Sequence, residues 1–392
     1  MFSSTLDTNL NNSYPSPFVV DSTLRDGEQT PGIVFSLEEK SILLSRLIDI
    51  GVREFEVGIP AMGDDNRRDV SILQRLGNRR GARMLCWSRC HLSDIESCAG
   101  VGASAIHISL PVSDLQMGII GLNRTMLLDR LCSSLVFCRG LFDFVSVGAQ
   151  DATRADSAFL MQYLDTAAQM GANRIRIADT VGCGNPLEIN SLFQELRRRF
   201  PSVELEFHAH NDFGMATANA LCALQGGANG ISTTLLGIGE RAGNASFETV
   251  VVAAKEVLGI NFGVNTKGIY PLCRYFARTM NRDIAPSHPI VGEKVLTHES
   301  GIHTHGQLAH PRAFQPIEAT SVGRTQPPFV FGSHTGRAAV KRVLEKNGQN
   351  ARIDTLTDIV TRRIKYNARN GVPSMSEQDV VALAEELGRK RA

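Results

Sequence analysis

The chain has 392 residues, with 41 Lys and Arg against 40 Asp and Glu, 43% hydrophobic residues and 35 glycines. That length and apolar content supply one large core plus a smaller appendage, and exclude a mostly disordered chain. A net charge of +1 provides no general field to attract nucleic acid or an anionic membrane surface.

Residues 1–17 are polar and read as a loose tail. They lack a basic n-region and an apolar h-region, so the default compartment is the cytoplasm. From Phe18 an alternation begins, in which short β-branched or apolar runs are each followed by a helical pattern. The expected strands are Phe18–Asp21, Glu54–Val57, Arg83–Trp87, Ala105–Ser109, Phe142–Val147, Arg174–Ala178, Val203–His208 and Gly230–Thr234. The first expected helix, Ser36–Ile50, opens with Ser36 and Glu39 at capping-box spacing and carries a stripe of Leu43, Leu47 and Ile50. Further helices are expected at Asp64–Leu76, Leu122–Arg139, Ala155–Met170, Pro186–Phe200, Phe213–Gln225 and Ala245–Leu258. The uncharged stretch Phe213–Gly239 is broken by Asn and Gly residues and reads as a buried helix-turn-strand, not a membrane span.

Eight such units in about 240 residues match a (β/α)8 TIM barrel, placed at 18–259. An open doubly wound sheet would carry a Gly-rich turn after its first strand, where this chain has Leu24-Arg25-Asp26-Gly27-Glu28-Gln29. Residues 260–392 read as a helical C-terminal region. It has a helix at Val264–Met280, a Gly- and His-rich loop from His298 to Gly306, and three closing helices at Thr335–Lys346, Ile353–Asn370 and Ser376–Lys390. The basic runs Arg197–Arg199 and Arg389–Arg391 read as solvated helix ends. None of the eight cysteines forms a C-x-x-C pair, so neither a zinc knuckle nor a redox motif is suggested. No lysine occurs between Ser41 and Ala254, which removes Schiff-base chemistry from the main body.

Barrel active sites lie where strands end, so polar residues there are the candidates. The first strand ends at Arg25-Asp26, the second holds Glu56 and the third runs into Arg89 and His91. The fifth leads to Ser146, Gln150 and Asp151, the sixth to Asp179-Thr180, and the eighth to the segment from Glu240 to Asn244. His208 and His210 are two apart on a strand and project to one face. With Asp26 they make a two-His, one-carboxylate site for a divalent metal: Mg, Mn, Fe, Co or Zn. A second H-x-H, His303 and His305, falls in the expected loop, where alternation carries less information. Glu56 reads either as a pocket group or as a structural ion pair.

Two long motifs carry a resemblance. Leu24-Arg25-Asp26-Gly27-Glu28-Gln29 with Lys40 resembles the first signature of the 2-isopropylmalate synthase/homocitrate synthase family, and the run Leu205–Gly214 with Asn219 resembles the second. The span Phe18–Gly336 follows the family, including Glu240–Asn244 and Ser300-Gly301-Ile302-His303. The resemblance implies a metal-dependent Claisen condensation of acetyl-CoA with a 2-oxo acid, followed by thioester hydrolysis. It implies Arg25 on the developing alkoxide, Thr180 on the substrate carboxylate and Asn244 near the metal, directly or through water. It also implies His303 acting in acid–base work in the site of a partner subunit, hence a homodimer. Many family members carry Ser-x-Glu-Asp after the fifth strand, where this chain has Gly148-Ala149-Gln150-Asp151. Gln150 cannot ionise, which leaves the partner of His303 open.

Members of the common type carry a long C-terminal regulatory domain, and this chain stops at Ala392, too early for one. With the run Thr297–His303, that most resembles the branch making homocitrate for the nitrogenase cofactor, whose acceptor is 2-oxoglutarate. A second substrate carboxylate needs a receptor. Arg89 and His91 are the candidates, unless they lie in a surface loop. The lysine-pathway homocitrate synthases use an Arg near the position held here by Ser146, a candidate substrate contact. The alternatives are a short 2-isopropylmalate or citramalate synthase, a hydroxymethylglutaryl-CoA-type lyase, or a non-catalytic binding barrel. The last predicts a damaged metal triad or a lost Arg25.

Overall fold

The computed structural model describes residues 16–349, 353–372 and 374–389. The expected tail lies outside these residues apart from its last two positions, and Lys390 and Arg391 of the terminal basic run lie outside them as well.

Eight parallel strands close into a barrel in sequence order: β1 (Phe18–Asp21), β2 (Glu54–Glu56), β3 (Arg83–Arg89), β4 (Ala105–Pro111), β5 (Phe144–Gln150), β6 (Arg174–Asp179), β7 (Glu204–Ala209) and β8 (Gly230–Thr233). β8 pairs with β1, Phe18 lying opposite Gly230. The expected (β/α)8 barrel is therefore the fold.

The helices start where local chemistry favours it. Leu37–Asp49 has a complete capping box, Ser36 Oγ accepting from Glu39 N and the Glu39 carboxylate accepting from Ser36 N. Pro186–Arg199 has Asn185 as its cap and Pro186 in its first turn. One barrel helix, Leu92–Gly100, is not among those expected from the sequence. It has nine residues, and its core-facing positions are only Asp94, Ile95 and Cys98, too weak a stripe to register as amphipathic. A further short helix, Asp114–Ile119, precedes the expected Arg124–Cys138 after β4.

The strands alternate polar and apolar residues, with the polar face inward. On β6, Ile175 and Ile177 are buried outside the barrel while Arg174 and Arg176 enter it, and Leu205 and Phe207 alternate with Glu204, Glu206 and His208 on β7. These charges are buried only because they are paired. Arg174 contacts Glu54, Glu204 and Glu206, and Arg176 contacts Glu56 and Glu206.

The chain divides into two compact units. The barrel unit runs to Thr266 and takes in Leu272–Asp283, and the other comprises Lys267–Pro271 and the residues from Ile284 onward. In the second unit, helices Arg337–Lys346, Ile353–Arg369 and Glu377–Arg389 pack around Val340, Leu344, Val360, Ile364, Val380 and Phe331. The segment expected as a His-rich loop contains a helix, Gly301–Ala309, preceded by Ser300. Residues two apart on a helix point about 200° apart, so His303 and His305 diverge instead of forming a pair.

Candidate active site

The C-terminal ends of the strands surround a cavity of about 290 Å³. Asp26, His208 and His210 converge there, each offering a donor atom within 4.8 Å of the others. His208 Nε2 and His210 Nε2 are 3.2 Å apart, and Asp26 Oδ2 lies 3.7 and 3.9 Å from them. Donors bound to one cation at about 2.1 Å and at right angles are about 3.0 Å apart, so small adjustments bring the trio onto one ion.

The unmet groups point the same way. Asp26 Oδ2 and Asn244 Oδ1 are buried without a hydrogen-bond partner among the described residues, which is costly unless a ligand answers them. His208 Nδ1 is hydrogen-bonded to Ser232 Oγ at 3.1 Å, which fixes the ring with Nε2 toward the cavity. Burial pushes the His208 imidazole down to about 3, and burial also lowers His210, so both are neutral and able to ligate. Burial opposes ionisation of Asp26, but the Arg25 guanidinium beside it outweighs that and holds the carboxyl below its ordinary range. Asn244 lies against Asp26 and donates from Nδ2 to Ile238 O at 2.9 Å. A Cβ on Gly239 would overlap Asn244 Nδ2, and φ there is +154°, so the loop admits Asn244 only with glycine at 239.

Arg25 is held from two sides. Its guanidinium donates to Asp26 Oδ1 at 2.7 Å and is in close contact with Glu56 Oε2, and it lies 5.8 Å from the Trp87 ring centroid. Glu56 is fully buried and is absent from the cavity wall. It accepts from Ser22 Oγ at 2.9 Å and from Arg176 at 2.7 Å besides Arg25. Burial would raise its pKa, but the guanidiniums of Arg176 and Arg25 bring it well below the ordinary value. Of the two readings expected for Glu56, a pocket group open to catalysis or a structural ion pair, the structure has the ion pair, which holds Arg25 in place.

Thr180 lines the cavity, and its Oγ1 accepts from Asp151 N at 2.8 Å, leaving its O–H to donate inward. Gln150 donates to Gln116 Oε1 at 2.7 Å, an uncharged pair at the rim.

Three expected substrate contacts fall elsewhere. Ser146 is fully buried, hydrogen-bonded to His107 Nδ1 at 2.8 Å, and does not reach the cavity. Arg89 and His91 line a neighbouring cavity of about 530 Å³. Arg89 is diverted by a two-pronged pairing with Asp94 in the first turn of Leu92–Gly100, at 2.6 and 3.1 Å, and its side chain is 63% exposed. His91 is the residue that begins that helix. His303, in the second unit, stacks on Phe314 with ring centroids 4.4 Å apart.

Sequence reasoning missed His107, Ser109 and Arg176, all on the cavity wall. Their signal was present as polar residues at period two within His107-Ile108-Ser109 and Arg174-Ile175-Arg176. They lie within β4 and β6 and not at the strand ends, where barrel chemistry is expected.

A family model described as HMGL-like matches residues 17–275, and one described as homocitrate synthase post-HMGL domain-like matches residues 290–371. Homocitrate synthase 1 of Nostoc sp. is 41% identical over 332 residues, covering 84% of this chain and 86% of that protein. 2-Isopropylmalate synthase 2 of Caldanaerobacter subterraneus is 38% identical over 333 residues, 85% of this chain and 86% of that protein. Among solved structures, hydroxymethylglutaryl-CoA lyase from Pseudomonas aeruginosa superposes with a TM-score of 0.62 at 19% identity, over 69% of this chain and 95% of that one, a likeness of fold. The chain belongs to the HMGL-like family, in the branch of acyl-transferring synthases that holds the homocitrate and 2-isopropylmalate synthases.

Proposed function

We propose that this enzyme condenses acetyl-CoA with a 2-oxo acid, 2-oxoglutarate being the preferred acceptor, and releases homocitrate and CoA. The observation that carries the reading is the convergence of Asp26, His208 and His210 beside a pinned Arg25 in one barrel-mouth cavity. Relatives named homocitrate synthase, at 40 and 41% identity, support the choice of acceptor.

Asp26, His208 and His210, with Asn244 beside them, would hold a divalent cation. When bound, it supplies Lewis-acid polarisation of the acceptor's keto group. Thr180 O–H donates to the acceptor carboxylate and orients the carbon to be attacked. Arg25, locked between Asp26 and Glu56, presents its positive charge where alkoxide charge develops as the acetyl-derived enolate adds. Its fixed position means little reorganisation at the moment of reaction. Hydrolysis of the thioester then makes the sequence effectively irreversible. His303 is assigned to acid–base duty in the site of a partner subunit, in a homodimer, histidine being the side chain most often used for positioned proton transfer.

The test is a CoA-release assay with acetyl-CoA and a panel of 2-oxoglutarate, 2-oxoisovalerate and pyruvate, with and without chelator. The reading requires the highest kcat/KM with 2-oxoglutarate and loss of turnover on chelation. A higher kcat/KM with 2-oxoisovalerate or pyruvate would move the enzyme to the isopropylmalate or citramalate synthases.

A further inference from the structure

Arg176 is nearly fully buried on β6 and faces the cavity. One terminal nitrogen donates to Glu56 Oε1 at 2.7 Å, and Nε sits 2.7 Å from Glu206 Oε1. The other terminal nitrogen, Nη2, is buried with no acceptor among the described residues. A guanidinium carries five N–H donors, and an unmet donor on a buried cation is expensive. The two ion pairs explain why Arg176 can be buried. They do not explain the nitrogen left over.

The neighbouring strands leave room beside it. Arg176 pairs in register with Gly148 on β5, and Gly148 with Ser109 on β4. A Cβ at position 148 would stand 2.6 Å from His107 Nε2 and 2.9 Å from Ser109 Oγ. Glycine there keeps open the space that both groups face. His107 Nδ1 is taken by Ser146 Oγ at 2.8 Å, which leaves Nε2 for the cavity. Burial and the charge of Arg176 hold the ring neutral. In the tautomer in which Ser146 donates to Nδ1, the ring's one proton sits on Nε2 and is available to an anion.

We propose that Arg176 and His107 receive the second carboxylate of the acceptor, with Ser109 as a further donor, so that the cavity selects 2-oxo dicarboxylic acids. The assignment rests on the condensation reading above and replaces Arg89 and His91 as the receptor. One spare cationic N–H on β6 and a neutral N–H on β4, separated by a side-chain-free β5 position, can each donate to one oxygen of a carboxylate. An apolar acceptor would leave the Arg176 nitrogen unmet.

The experiment compares 2-oxoglutarate with pyruvate, which shares the reacting carboxylate and keto group but lacks the second carboxylate. Binding by calorimetry with added Mg²⁺ or Mn²⁺, and CoA release, are measured for wild type, Arg176→Gln and Gly148→Ala. Loss of one charge-assisted contact lowers 2-oxoglutarate affinity roughly 10- to 100-fold relative to pyruvate in Arg176→Gln. Gly148→Ala shifts the same ratio in the same direction while leaving both Arg176 ion pairs intact, and it decides the matter if Arg176→Gln does not fold. An unchanged ratio in the folded variants means that water alone meets the spare nitrogen, and overturns the receptor. Absence of turnover in wild type with a ratio of binding that still shifts would sink the condensation reading and keep the receptor. Turnover with an unmoved ratio would do the reverse.

Discussion

Glu56→Gln is the most informative single substitution, because Glu56 carries one charge between two buried guanidiniums. In wild type its Oε2 meets Arg25 and its Oε1 meets Arg176. The amide keeps the size but removes the charge, and turns an N–H₂ toward one of the two cations. Breaking a buried pair costs about 3–5 kcal/mol. Arg25 retains Asp26 and Arg176 retains Glu206, so the lower end, about 3 kcal/mol, is expected. That is a large part of a typical stability of about 5–15 kcal/mol. The pH dependence fixes the sign. The carboxyl of Glu56 is held well below its ordinary value of 4.5 in the native state, so its contribution is fully present above that value and is lost as pH falls toward the native pKa. The stability gap between wild type and Glu56→Gln should therefore be widest near pH 7 and shrink on acidification. Urea denaturation followed by Trp87, the only tryptophan, reports on the barrel directly. Arg25 loses its anchor at the same time, and a displacement of about 1 Å costs roughly 10²-fold in rate. A gap that stays constant between neutral and acid pH, or an unchanged kcat, would refute the positioning role.

Three further outcomes are expected. His208→Ala and His210→Ala should lose bound divalent metal and nearly all activity with the fold retained, and metal content by mass spectrometry checks this; full occupancy in both would remove them as ligands. Ser232→Ala, which frees the His208 ring, should weaken metal affinity by about 10- to 100-fold without abolishing it, as read by competition with a chelating dye. His303→Ala and Asp26→Ala proteins, each inactive, should regain part of the activity when mixed, because a hybrid dimer restores one site with both residues if His303 acts in trans; confirmed subunit exchange with no recovery excludes that arrangement.

Much of the fold is legible in the chain. Strand–helix alternation from Phe18 to Leu258 marks a barrel because each β/α unit buries its own apolar face locally, so period two and period 3.6 both survive in the sequence. The His208/His210 pair and Asp26 are legible for the same reason: their placement follows from strand alternation and from the rule that barrel chemistry sits at strand ends. What alternation cannot supply is height along the barrel axis and the choice among neighbours. Those depend on the register between strands, which sets Arg176 beside Gly148 and Glu56 beneath Arg25. Arg89 points into the barrel by parity yet is drawn away by Asp94, an acid placed in reach only by a helix too short to be read from its stripe. The sequence thus determined which side chains enter the barrel. Closure of the eight strands decided which of them meet, because a long-range ion pair between β2 and β6 has no local pattern to announce it.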